Sequence, residues 1–188
     1  MLPRSVLRVQ PACRERYGVK FQNSCVINAP SQKLWSFLID IPSVARCLPG
    51  VEEVNAVEEG KYVGVIAVKV GVVKLRLSGK ITVELMDHER HVASMRVEAA
   101  DQRISGMVQG MLSMNLETLA AGETKLTAET DVNLFGKIGE FGQPMIKKKA
   151  DQMMTEFSLN VADMVGAGPD RKRMQTGSIL GLSDDSGQ

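Results

Sequence analysis

From Lys61 to Leu134 the chain alternates apolar and polar residues through five successive segments, and from Lys137 to Val165 the apolar residues change to a spacing of three and four. Positions two apart share one face of a strand, whereas positions three or four apart share one face of a helix. Strands joined only by short turns fold most simply as an antiparallel meander, and one long amphipathic helix after them must lay its stripe on that sheet. The expectation is an α+β fold: a curved antiparallel sheet wrapped around a long C-terminal helix. Such a shape tends to enclose apolar volume, so function is sought in a container.

The individual elements follow from the same periodicities. Val19, Phe21, Cys25 and Ile27 give a first half-buried strand, and Asn28-Ala29-Pro30-Ser31 then supplies a helix start that places Leu34, Trp35, Leu38 and Ile39 on one face. Pro42 ends that helix, and Pro49-Gly50 stops a second short one. Val51 to Val57 reads as a weak strand. Tyr62, Ile66, Val68 and Val70 share the inward parity of the next strand, and Val73, Leu75, Leu77, Ile81 and Val83 that of the one after. Met95 and Val97 follow, then Ile104, Val108, Leu112, Met114 and Leu116, with Gly106 and Gly110 on the same parity predicting strong curvature. Leu126, Ala128, Val132 and Leu134 close the series. On the final helix Ile138, Gly142, Ile146, Ala150, Met153, Phe157, Val161 and Met164 form the stripe, and Pro144 demands either a kink or a fresh helix start.

These parities name the expected cavity lining: Ile66, Val68, Leu75, Leu77, Met95, Val97, Val108, Leu112 and Met114 from the strands, with Ile146, Met153 and Phe157 from the helix. The eleven methionines fit either a loosely packed core or a cavity that tolerates varied shapes.

Composition narrows the function classes. Lys plus Arg number 23 against 22 for Asp plus Glu, and aromatic residues make up 4% of the chain, which offers no basic, aromatic surface for nucleic acid. The three cysteines, Cys13, Cys25 and Cys47, lack metal or redox spacing, so a reducing, cytoplasmic setting is expected. Residues 1–18 show no period and 166–188 are rich in Gly, Ser and Asp, so an extension and a flexible tail are expected around a domain at 19–165. No apolar run reaches the roughly 20 residues of a spanning helix.

No catalytic or metal signature competes with the container. His88 and His91 are expected as solvated turn residues, Glu52/Glu53 and Glu58/Glu59 as solvated pairs, and Lys147-Lys148-Lys149 as a solvated face, with contact to a partner or membrane surface as its sharper alternative. No cofactor is expected.

Several stretches together resemble the CoxG family associated with carbon monoxide dehydrogenase, within the START-like, helix-grip superfamily that includes polyketide cyclases and plant lipid-binding proteins. They are Phe21, Asn28-Ala29-Pro30, Leu34-Trp35, Leu38, Asp40, Arg46-Cys47-Leu48-Pro49-Gly50, Val68-Lys69-Val70-Gly71, Ser78-Gly79, and Phe135 to Gly142 leading to Lys149-Ala150-Asp151-Gln152. The resemblance implies about seven strands gripping the last helix, two short helices after strand one, and an accessory protein of molybdenum-containing hydroxylases with a cavity for a lipid or quinone. Beside the cytoplasmic location expected above, peripheral contact at the inner membrane face is an option. Trp35, Arg46, Cys47, Leu48, Pro49 and Gly50 are candidates for docking to the hydroxylase subunits. A cyclase-like enzyme using the same cavity, and an assembly factor acting by docking alone, are the rival expectations.

Overall fold

The computed structural model describes residues 16–120 and 122–167. Strand β1 spans Arg16–Ile27 and is followed by helices α1, Ser31–Leu38, and α2, Ile41–Ala45. Then come β2, Val51–Glu58; β3, Lys61–Val70; β4, Val73–Asp87; β5, Val92–Asp101; β6, Gly106–Ala120; and β7, Glu123–Phe135. A 3-10 helix, Gly136–Phe141, leads into α3, Gln143–Met164. All neighbours pair antiparallel in one seven-stranded sheet ordered β1-β7-β6-β5-β4-β3-β2. The meander from β2 to β7 is as expected, and β1 closes beside β7. Of the expected extension, 16–18 belong to β1; the rest of it, and the tail beyond 167, lie outside the described residues.

Curvature has a local cause. Gly79 pairs with Gly64 on one side and Ala99 on the other. A methyl group on Gly79 would sit 2.6 Å from the Cα of Ala99, and one on Gly110 would sit 2.6 Å from the Cα of Val132. At these points neighbouring strands approach more closely than any side chain permits, so the sheet coils there. Gly106 differs: a methyl there would collide with the Ile138 side chain, so this glycine admits the 3-10 helix.

Pro144 resolves as a fresh start. The 3-10 helix ends at Gly142, whose φ of +71° turns the chain, and Pro144 occupies the first turn of α3, where its missing N–H has no partner to lose.

Two apolar clusters hold the molecule together. One gathers Cys25, Ile27, Leu34, Trp35, Leu38, Leu116, Leu126, Val161 and Val165 beneath α1 and the end of α3. The other gathers Val19, Val70, Leu75, Leu134 and Ile138 beneath the 3-10 helix and the start of α3. The middle of α3 crosses between them.

Candidate ligand cavity

Between the two clusters α3 stands off the middle of the sheet, and a cavity of about 420 Å³ remains. That volume is within the range of small-molecule sites. Its wall includes Ile66 of β3, Leu77 and Ile81 of β4, Met95 and Val97 of β5, Leu112 and Met114 of β6, and Ala150, Met153, Met154 and Phe157 of α3. Met153, Met154 and Phe157 are only half-buried although they sit on the sheet-facing stripe of α3, because what they face is the hollow. The short helices complete the wall through Leu38, Ile41, Val44, Ala45 and Leu48.

Of the expected lining, Ile66, Leu77, Met95, Val97, Leu112, Met114, Met153 and Phe157 lie on this wall, and Val68, Leu75, Val108 and Ile146 do not. Those four pack in or against the cluster beneath the 3-10 helix, where the gap between helix and sheet is filled. They have the right parity but lie too far towards that end.

A polar group that the parity argument passed over sits inside. Asn23 occupies the inward face of β1, is 1% exposed, and donates its amide to Asp151 Oδ1 on α3 at 2.8 Å. It lines the cavity beside Phe21 and Thr130. A buried amide must be bonded, and this pair ties the edge strand to the gripping helix. A polar residue at an inward position, facing an Asp on the helix stripe side, was the sequence signal for it.

The expected docking residues divide. Trp35 is 1% exposed; its Nε1 donates to His88 Nδ1 at 3.1 Å, and its ring lies 5.3 Å from that of His91, centroid to centroid. It therefore cannot present its ring to a partner, which corrects that expectation. The reason is that α1 turns its Leu34-Trp35-Leu38 face onto β6 and β7. The histidines lie in the β4–β5 turn as expected and His88 is exposed, but both rings contact Trp35, which the sequence did not indicate. Cys47 is buried as well, and its carbonyl accepts from Asn160 Nδ2 of α3 at 2.9 Å. Leu48 faces the cavity, Pro49 is half-buried, and Gly50, at φ +87°, packs its backbone on Ala67 and accepts from Ala67 N–H at 2.7 Å. Arg46 alone of the six carries an exposed side chain. Glu52 and Glu53 lie within β2 rather than in a turn; Glu52 pairs with Arg76 at 2.8 Å and Glu53 borders the cavity.

Burial pushes the Cys25 thiol up to about 11, opposed in part by a hydrogen bond to Ser158, and raises the Cys47 thiol for the same reason. Both cysteines are free, and burial disfavours the thiolate, which is the reacting form. Among the described residues no group of three or more His, Cys, Asp or Glu side chains is placed to hold a metal ion, and no helix is long and apolar enough to cross a membrane.

A curved antiparallel sheet closed by a C-terminal helix over an apolar hollow defines a START-like, helix-grip protein. Solved structures agree. A conserved protein from Geobacillus kaustophilus superposes with a TM-score of 0.72 at 19% identity, covering 79% of this chain and 95% of that one. The Zhui aromatase/cyclase from a Streptomyces species superposes at 0.58 with 20% identity, covering 81% and 94%. A START superfamily protein from Mycobacterium smegmatis gives 0.57 with 10% identity, covering 78% and 97%. No curated protein matches by sequence. The model of the carbon monoxide dehydrogenase CoxG family matches residues 24–166, and the chain belongs to that family.

Proposed function

We propose that the chain is a non-enzymatic carrier that holds one lipid or quinone in the cavity beneath α3 and serves a molybdenum-containing hydroxylase of the carbon monoxide dehydrogenase type. The observation that carries the proposal is the apolar hollow itself, walled by Met95, Met114, Met153, Met154 and Phe157 and set between two packed ends. Apolar surface taken out of water contributes about 25 cal/mol per Å². Roughly 500 Å² of a prenyl-type tail would thus contribute about 12 kcal/mol, which leaves micromolar affinity after an association cost of about 4 kcal/mol. Thioether side chains adapt to such a tail. Family membership supports the link to the hydroxylase.

A cyclase-like role would need an acid or base aimed at the ligand. The polar side chains bordering the cavity are Asn23, Glu53, Lys80 and Thr130. The Asn23 amide is already held by Asp151, the Glu53 carboxylate accepts from Asn55 Nδ2 at 2.7 Å, and the Lys80 ammonium is held by Glu98 at 2.6 Å, which favours the carrier.

Native mass spectrometry of the gently purified full chain tests the proposal. A single adduct of lipid or quinone mass is expected, and it should be absent from a Met153→Asp variant. A bare mass for the unaltered chain, after supplementation with quinone, would count against it.

A further inference from the structure

At the end of the molecule where α3 begins, the β3–β4 turn carries Val72 at its tip, 94% exposed. Met145, on the first turn of α3, is 43% exposed, and its thioether lies against Gly71 of the same turn. Because Gly71 precedes Val72 in the turn, the two exposed side chains are neighbours and together are termed an apolar knob. Around it stand Lys69 and Lys74, which face each other across β3 and β4, and Lys148 and Lys149 on α3, with Lys69, Lys148 and Lys149 lining a common crevice.

These lysines differ from the other cations of the sheet. Lys20 is paired with Asp131, Lys61 with Glu58, Arg76 with Glu52, Lys80 with Glu98 and Arg96 with Glu84. Among the described residues no carboxylate lies within ion-pair distance of Lys69, Lys74, Lys148 or Lys149. The carboxylate nearest to them in sequence, Asp151, is held inward by Asn23. The α3 N-terminus adds the positive end of its dipole. An exposed apolar tip collared by unmatched ammonium groups complements a surface that is anionic outside and hydrocarbon beneath.

We infer that the Val72–Met145 knob and its lysine collar form a docking surface for an anionic lipid bilayer. The knob enters between headgroups while the lysines meet their phosphates. For a carrier this places the start of α3, next to the cavity-lining stretch from Ala150 to Phe157, against a source of apolar cargo. The docking itself does not depend on what the cavity holds, so loss of the adduct and loss of membrane binding are separate results.

Vesicle co-sedimentation of the full chain tests it. Binding is expected to phosphatidylcholine–phosphatidylglycerol vesicles and not to phosphatidylcholine alone. Each lysine near an anionic surface contributes about fivefold, so Lys148→Glu/Lys149→Glu should weaken partition by more than about twentyfold. Val72→Asp should also weaken it with every lysine intact. A control with the same charge change, Lys33→Glu/Lys61→Glu, on α1 and at the opposite end of β3, should bind as the unaltered chain does. Absence of binding to the anionic vesicles overturns the inference and leaves the collar to an acidic protein partner. Equal losses in the control and in the α3 variant overturn it in favour of bulk charge attraction.

Discussion

Met153→Asp places a carboxyl group on the cavity wall, where Met153 of α3 lines the same hollow as Met95, Leu112 and Met114 of the sheet. In the empty protein that group is hydrated at little cost. A bound apolar molecule must either strip the carboxylate of water, at several kcal/mol, or force it to take up a proton. The second route sets the ceiling. From an ordinary aspartate value of about 3.9, protonation at pH 7 costs about 3.1 units at 1.36 kcal/mol each, about 4 kcal/mol, or roughly a thousandfold in affinity. The penalty shrinks by about 1.36 kcal/mol for each unit of acidification, so binding at pH 5 should recover about a hundredfold. Displacement of a fluorescent apolar probe, measured for the unaltered chain, Met153→Asp and the outer-face variant Glu129→Ala across this range, reads all of it. Unchanged affinity in Met153→Asp, equal loss in Glu129→Ala, or a defect that does not ease with acidification would each refute the reasoning. A pH-independent remainder would report the contact surface lost with the methionine.

Three further outcomes follow from the packing. Trp35→Ala should behave as a core deletion costing about 3–5 kcal/mol, seen as a lowered denaturation midpoint, whereas a docking residue would leave stability untouched. The Asp101 carboxylate, 1% exposed, accepts from the Arg103 side chain at 2.8 Å and from the backbone N–H groups of Arg76 and Arg103, and these bonds hold its pKa far below the usual 3.8. Its stabilisation is therefore complete above about pH 4 and lost as the pH falls through the depressed folded value; Asp101→Ala should lower the melting temperature by about 4–12 °C at pH 7, for a cost of about 2–3 kcal/mol, and should flatten the acid limb below pH 4. In a Cys13→Ser background, Cys25 and Cys47 should resist a thiol reagent at pH 8 until denaturant is added, because the thiolate is the reacting form and burial suppresses it; rapid labelling of the folded chain would contradict their placement.

Much of this architecture could be read from spacing. Alternation from Tyr62 to Leu134 located five strands and their inner faces, since one face packs and the other is wet, and the stripe from Ile146 to Val161 located α3. Pro144 left a kink and a new start both open, and Gly142 at positive φ decides for the start. Parity reports which way a side chain points, but not how far the helix stands off at that height. For that reason Val68, Leu75, Val108 and Ile146 looked like cavity residues although they fill the packed end. The contributions of Ile41, Val44 and Ala45 were illegible because α2, at five residues, is too short to show a period. Asn23 was passed over because an inward polar residue breaks the alternation used to find the strand, and its partner Asp151 lies 128 residues away in sequence. Trp35 shared a helical face with Leu34 and Leu38, and that face alone argued for burial; the docking role came from the resemblance.

The most direct test of the central claim is a methionine-methyl NMR titration of the full chain with a short-chain quinone. The methyl groups of Met95, Met114, Met153 and Met154 line the hollow, and they should shift together and saturate, while Met164, 60% exposed at the end of α3, stays fixed. Four unmoved cavity methyls at saturating quinone, or shifts confined to Met164 and other surface methionines, would show that apolar cargo does not enter beneath α3.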